Sequence, residues 1–510
     1  MASVAIAAAS QIAADSGVAV AELGGNAVDA AVAATVTGMC TDPGVIAPGG
    51  GVFITVWPAG ADPAVIDGYV AVPGLGRGRA RKGSGLRVSM EYGGGMETVV
   101  GHASVATPGA FAGLEMAATD YGVVPWAELM APAVEWASGG FPLSATAASY
   151  LEHSLEPIFD LDPGGRSALR DGAGVPLRPG GTVQIAGLAD ALRAIASGGA
   201  AVFYTGDIGR LLTGEMERGG GIVTAADLAS YRPVRRRPII VERLGWSVAT
   251  NPAPAVGGVG VAALLLLTRR LGFRAWDETG VLAMSAAQRA LLGLRERHLH
   301  RGEIADTDLD RLLREAGSGD DWLGAGSPST IHTSAVDAGG MACSITASAG
   351  YGSGLMIPGT GIWLNNSLGE LELEPPGSGW PPPGRRLPSN MAPTVARHRT
   401  GPVLAIGSPG ASRITTAVGL TLINLIELGM APGEAVEHPR FHLEVFDGVT
   451  TAACEPGLPV PDSLGLPIRR FPERSMYFGG VGLALGDAAG RLDSFADGRR
   501  TLGVASGGAQ

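Results

Sequence analysis

Ser327-Pro328-Ser329-Thr330 places three hydroxyls where a polar stretch gives way to an alternating apolar one. A hydroxyl is a weak nucleophile until a base stands beside it. The chain has no Gly-x-Ser-x-Gly turn, so no strained strand-to-helix elbow presents a serine. Another solution cuts the peptide bond before a threonine, and the freed α-amine then takes the proton of that residue's own hydroxyl. Thr330 suits this arrangement, with Ser327 and Ser329 as competing hydroxyls. Spacing alone also describes an ordinary threonine at the start of a strand.

Other chemistries find less support. His332, His438 and His442 are scattered, and Cys40, Cys343 and Cys454 show neither metal-ligand spacing nor a disulfide framework. No metal or organic cofactor is expected, and the cysteines fit a reducing compartment. Gly257-Gly258-Val259-Gly260 lacks the full G-x-G-x-x-G spacing and a suitably placed acid, so tight helix packing is the better account. A formal net charge of -11 leaves no basic surplus for phosphates. The short basic clusters at 77–82 and 235–237 read as solvated loop charges. The N-terminal stretch is apolar without a basic leader, and the run 259–268 is too short to span a bilayer. The expectation is a cytoplasmic protein acting on a small molecule, without nucleic-acid or membrane partners.

The elements that must position Thr330 follow from periodicity. With 510 residues, 46% hydrophobic and 17% charged, the chain can bury a large α/β core. Helical spacing over 12–23 stops at Gly24-Gly25, and Asn26 can cap a second helix over 27–38. A buried strand is read at 51–57 behind a glycine turn. Helical patterns recur at 108–139, with Pro125 and Pro132 as breakers or first-turn residues, at 185–197 and at 256–270. Residues 303–326, rich in Asp, Gly and Ser, read as an exposed connector. Directly after it, 331–336 and 342–347 alternate as two strands around Gly339-Gly340, predicting a β-hairpin that starts at the candidate nucleophile.

Collinear blocks extend this reading. Leu23-Gly24-Gly25-Asn26-Ala27-Val28-Asp29-Ala30-Ala31, Gly49-Gly50-Gly51, Thr107-Pro108-Gly109 and Phe203-Tyr204-Thr205-Gly206 resemble γ-glutamyltransferases in order. So do Pro358-Gly359-Thr360-Gly361-Ile362-Trp363-Leu364-Asn365-Asn366, Met391-Ala392-Pro393-Thr394 and Gly407-Ser408-Pro409-Gly410-Ala411-Ser412-Arg413. The resemblance implies a four-layer αββα sandwich with two stacked antiparallel sheets. It also implies one precursor split into a large subunit, 1–329, and a small subunit, 330–510. Thr330-Ile331-His332 matches the opening of the family's small subunit, which gives Thr330 the nucleophile's role. Ser348, 18 residues on, matches a family hydroxyl that hydrogen-bonds the nucleophile. Gly410 and Ala411 match the paired glycines whose N–H groups form the oxyanion hole, where losing one donor raises a barrier by about 3 kcal/mol.

The departures fall on substrate recognition. Asp67-Gly68-Tyr69-Val70-Ala71-Val72-Pro73 carries Tyr69 where the family has the Arg that clamps the glutamyl α-carboxylate. A tyrosine donates one hydrogen bond and offers no charged bidentate clamp. Ser367 and Glu370 stand where the family grips the α-amine, and Ser389-Asn390 replaces its Ser-Ser pair. The loop after Ser348 is shorter and lacks the family's Asn. Retained catalytic positions with altered binding positions imply a working nucleophile for a different acyl group. A γ-glutamyl-like amide is the conservative substrate. The alternative within the family is hydrolysis of a carbon–carbon bond beside a carbonyl, as in relatives from antibiotic gene clusters that trim a proline-derived precursor. A non-catalytic homologue is the reading from another class; retention of Thr330, Ser348 and the Pro409-Gly410 turn speaks against it.

Overall fold

The computed structural model describes residues 3–77, 85–91, 95–301, 330–373, 381–446 and 448–508. The expected connector at 303–326 lies outside the described residues, as do Ser327 and Ser329. The strands of the two main sheets are Ser3–Ala8 (β1), Gly51–Trp57 (β2), Ala64–Gly68 (β3), Val234–Arg236 (β4), Ile239–Arg243 (β5), Trp246–Thr250 (β6) and Thr330–Asp337 (β7). They continue with Ala342–Ser348 (β8), Thr394–His398 (β9), Val403–Gly407 (β10), Gly482–Gly486 (β11), Leu492–Ala496 (β12) and Gly503–Gly508 (β13). The first sheet runs β13-β1-β7-β8-β2-β3-β4 and the second β12-β11-β10-β9-β6-β5. Neighbouring strands in both are antiparallel.

Helices Gln11–Glu22 (α1), Ala27–Thr41 (α2) and Ala110–Tyr121 (α3) pack on the first sheet. Val256–Arg270 (α4) packs on the second sheet with Glu278–Arg301 (α5) against it, and Ile414–Ile426 (α6) packs beside β10. Because β7 and β8 lie against β10 and β11, the layers are helix, sheet, sheet, helix. This is the expected αββα sandwich. It explains why β2, β7 and β8 are buried along their whole length although their sheets are antiparallel. One face meets helices and the other meets a second sheet.

Local chemistry sets the element ends near the site. The Asn26 side chain accepts from the Val28 and Asp29 N–H groups, and Asp29 returns a bond to the Asn26 N–H, closing a capping box. Asp337, at the end of β7, accepts from the Ala27 N–H at 3.0 Å, so an anion sits at the positive end of α2. Val28, Val32 and Val36 face the core at full burial, each contributing about 1.5–3 kcal/mol by the area removed from water. The stretch 108–139 makes two helices, Ala110–Tyr121 and Trp126–Gly139. Pro125 precedes the second as a breaker, whereas Pro132 lies inside it. The buried stripe Leu129, Met130, Ala133 and Ala137 holds that helix together across the missing N–H.

Candidate active site

The hairpin around Gly339-Gly340 pairs β7 with β8 so that Thr330 lies directly opposite Ser348. Side chains alternate along a strand. Ile331 and Thr333 turn to α2, where Ile331 abuts Gly38 and Thr35 Oγ1 donates to Thr333 Oγ1 at 3.1 Å. Thr330, His332 and Ser334 lie on the opposite face, and Ser334 Oγ donates across the sandwich to the Gly482 carbonyl at 3.1 Å. The layer between the sheets is thus apolar near the turn, with Trp57, Val336, Ala342, Val395 and Ala405, and polar towards Thr330.

Thr330 is 4% exposed, and its Oγ1 donates to Ser348 Oγ at 3.4 Å. The Gly350 N–H donates to Ser348 Oγ at 3.3 Å, which fixes that hydroxyl. His332 shares the face but is enclosed, with Nδ1 on Thr346 Oγ1 at 3.0 Å and Nε2 on Ser334 Oγ at 2.7 Å. Burial pulls its pKa down to about 3, so the ring is neutral and structural. Thr330 also lines a small cavity with Pro409, Asp42 and Arg500. Sequence reasoning did not single out Asp42. Its Oδ1 accepts from Ser144 Oγ at 2.8 Å, its Oδ2 is buried without a partner among the described residues, and burial raises the carboxyl to about 7.

The second sheet delivers the turn. β10 ends at Gly407, and 408–411 turns back toward the cavity lined by Thr330. The Gly480 N–H donates to Ser408 Oγ at 3.0 Å, and Arg413 Nε donates to the Tyr477 carbonyl at 3.0 Å with its guanidinium over the Tyr477 ring. These contacts hold Gly410 at φ 129° and Ala411 at φ 56°. Only Leu244 shares a positive φ with Ala411 among described non-glycine residues. Neither the Gly410 nor the Ala411 N–H has an acceptor among the described residues. Two buried donors kept open in a strained turn can receive a developing oxyanion.

Tyr69, Ser367, Glu370, Ser389 and Asn390 come together from three segments. Tyr69 follows β3, its N–H bonded to Asp67 Oδ1 at 3.0 Å and its ring stacked on Phe53. Its buried hydroxyl faces Ser367, Ser389 and Glu370, and burial first, then the Glu370 charge, holds it well above the ordinary tyrosine range. Glu370 is itself buried. Desolvation, then the charge of Glu372, raises its carboxyl well above the usual range, with the Ser367 hydroxyl opposing, which favours the neutral acid. Ser367 Oγ and Glu370 Oε1 have no partner among the described residues. A Cβ on Gly350 (φ 63°) would lie 3.0 Å from Glu370 Oε1, which ties this cluster to the Ser348 loop. The Asn365 and Asn366 amides brace the same loops: Asn365 Nδ2 donates to the Gly49 and Ala106 carbonyls, and Asn366 Oδ1 accepts from the Tyr351 N–H at 2.6 Å.

Ser389-Asn390 is held by α4. The Val256 N–H donates to the Ser389 carbonyl at 2.8 Å, and a Cβ on Gly257 would collide with the Asn390 carbonyl. The Gly257-Gly258 pair therefore serves close packing. Arg295 on α5 was also missed: its Nη1 donates to Asn390 Oδ1 at 2.6 Å. No spacing in α5 marks it, because its partner lies 95 residues away. Among the described residues no group of His, Cys, Asp or Glu is placed to hold a metal, and no helix is long and apolar enough to cross a membrane.

An αββα sandwich with a cavity-lining hydroxyl at the start of a central strand is the architecture of the N-terminal-nucleophile hydrolase class. The gamma-glutamyltranspeptidase family model matches residues 13–466, and the chain belongs to that family. It is similar to a glutathione hydrolase proenzyme of Pseudomonas sp. (strain A14), 30% identical over 85% of this chain and 80% of the relative. It is also similar to the acylase ACY 1 proenzyme of Pseudomonas sp. (strain SE83), 31% identical over 82% of this chain and 79% of the relative. Cephalosporin acylase from Bacillus halodurans has the same fold, with a TM-score of 0.80 and 23% identity over 99% of this chain and 95% of that one. The protein is an enzyme of this hydrolase and acyltransferase group.

Proposed function

We propose that the chain is a self-cleaving precursor in which Thr330 is both cleavage site and nucleophile. Its Oγ1 attacks the carbonyl of Ser329, the C–N bond to Thr330 breaks, and the resulting ester is hydrolysed by water. Residues 1–329 and 330–510 are then the large and small subunits. In turnover the freed α-amine takes the Oγ1 proton as Oγ1 attacks the substrate carbonyl, and Gly410 and Ala411 N–H groups receive the oxyanion. The amine returns the proton to the leaving group, and water or an amine acceptor repeats the sequence in reverse. The observation that carries this reading is Thr330 paired with Ser348 beside a turn with two open N–H donors. The proenzyme names of the similar glutathione hydrolase and acylase support it.

The acyl group differs from an ordinary γ-glutamyl. Tyr69 and a carboxyl held towards neutrality at Glu370 offer hydrogen bonds where a zwitterionic head would need paired charges. The primary substrate is an amide with a γ-glutamyl-like acyl chain. A second reading, hydrolysis of a carbon–carbon bond beside a carbonyl in natural-product biosynthesis, is favoured by the absence of a cation at Tyr69.

Incubation of the purified chain, followed by Edman sequencing of the smaller fragment, is expected to read Thr-Ile-His. Thr330→Ala is expected to stay at 51.5 kDa and to turn nothing over. Scission and turnover that survive this change would falsify the nucleophile assignment. An intact wild-type chain without activity would instead mark a non-catalytic homologue. Rapid release from a γ-glutamyl anilide would count against the carbon–carbon reading.

A further inference from the structure

A second cavity lies between α4, α5, α6 and the strand Phe441–Phe446. Val256, Val259, Leu291, Leu292, Leu294 and Val445 supply its apolar wall. Ser412, the residue after Ala411, also lines it, and α4 shares its wall while holding Ser389. The cavity therefore adjoins the oxyanion turn and the Ser389-Asn390 segment.

Most of its polar groups are already occupied. Gln288 bonds the Phe441 carbonyl at 3.0 Å and the Leu443 N–H at 2.7 Å. Thr416 Oγ1 bonds His442 Nδ1 at 3.1 Å, and burial brings that ring down to about 3, so it is neutral. Glu444 accepts from the Tyr477 hydroxyl and meets Arg469 Nη1 at 3.4 Å. Thr415 donates to the Gly257 carbonyl at 3.4 Å.

Arg295 differs. Nη1 is bonded to Asn390, but Nη2 is buried and has no partner among the described residues. None of the ion pairs among the described residues includes it. Burial lowers its pKa only to about 10, so it is a cation at neutral pH. The charge of Glu372 partly offsets that burial, yet Nη2 stays an orphaned donor, and a donor of this kind calls for a ligand or another compensating role. The charge and the apolar wall face the same space.

We propose that this cavity is a binding subsite for a small organic carboxylate, with the anion on Arg295 Nη2 and an apolar chain or ring along the leucine wall. A carboxylate matches one guanidinium in charge and in donor geometry. That the bound molecule is an acyl donor or acceptor for Thr330 rests on the proposed function; the binding itself does not.

Calorimetric titration with 3-phenylpropionate and with its neutral amide tests the subsite without requiring turnover, so an inactive Thr330 leaves the result interpretable. The carboxylate is expected to bind at least about tenfold more tightly than the amide. Arg295→Met is expected to remove that difference, Arg295→Lys to restore part of it, and Leu291→Trp, which fills the cavity, to abolish binding of both. Equal affinities, no binding of the carboxylate, or undiminished binding in an Arg295→Met protein with the wild-type melting temperature overturns the proposal. Should Arg295→Met fold poorly, Leu291→Trp decides: retained binding overturns the subsite and lost binding supports it.

Discussion

Ala411 carries a side chain at φ 56°, a conformation that costs a non-glycine residue of order 1–3 kcal/mol. The cost persists because Arg413 and Ser408 anchor the turn on both sides. Ala411→Gly is expected to keep turnover, since the N–H donor remains, and to stabilise the protein by up to about 1 kcal/mol in a denaturant titration. Ala411→Val places a β-branched side chain at the same φ and is expected to lower kcat at least about tenfold by shifting that N–H. Ser348→Ala removes the hydroxyl opposite Thr330, and a kcat reduced by about 10²-fold is expected, with Ser348→Thr recovering most of it. The resemblance to γ-glutamyltransferases singled out Thr330, Ser348 and the Gly410-Ala411 pair, and the fold sets Thr330 opposite Ser348. Neither Asp42 nor Arg295 was legible in the sequence. Their significance comes from burial and a missing partner, neither of which has a local pattern.

Among the elements, the hairpin and the glycine-started helix do most of the positioning. The alternation of 331–336 and 342–347 correctly gave two strands and their turn, because a period of two with Gly339-Gly340 between admits few other structures. The structure extends both strands by one residue away from the turn, which sets Thr330 directly opposite Ser348. Which face the pair takes remained open in the sequence, since β7 is buried on both sides. The α4 glycines illustrate the reverse case. Their helix was readable, but the reason for Gly257 is the backbone of Asn390, 133 residues further on (390 − 257). Gly257→Ala must push the Ser389-Asn390 segment away. We expect a loss of about 1–3 kcal/mol in unfolding free energy and a KM raised more than kcat is lowered, measured on the best amide substrate found. Unchanged KM would remove Asn390 from the binding cluster.

For the whole molecule, burial of charge decides how stability responds to pH. His332 and His442 fall to about 3 in the fold, against roughly 6.5 in an unfolded chain. Below pH 6.5 the unfolded chain therefore binds protons that the fold refuses, and stability declines as pH drops towards 3. Asp42 works oppositely. Its folded value near 7 lies above the unfolded value, so its contribution weakens stability as pH rises from about 4 to 7. In pH-dependent melting, His332→Gln is expected to flatten the acidic decline and Asp42→Asn to remove the loss between pH 4 and 7. A buried ion cluster closes the C-terminal region. Arg499 joins Glu455 and Asp497, and Arg440 also meets Asp497. Arg499→Met leaves two buried acids short of a partner, and about 3–5 kcal/mol of stability should be lost in chemical denaturation.

From the sequence, periodicity gave the hairpin that starts at Thr330, and the resemblance to γ-glutamyltransferases implied the two-sheet sandwich and the partner hydroxyl at Ser348. It also recorded the exchange of an Arg for Tyr69. Only the tertiary structure decided that Glu370 is held towards its neutral form, that the Ala411 N–H lacks an acceptor among the described residues, and that Arg295 from a distant helix lines a cavity beside Ser412. Those properties depend on dielectric and on which groups lack partners. Both are set by segments hundreds of residues apart closing on one another.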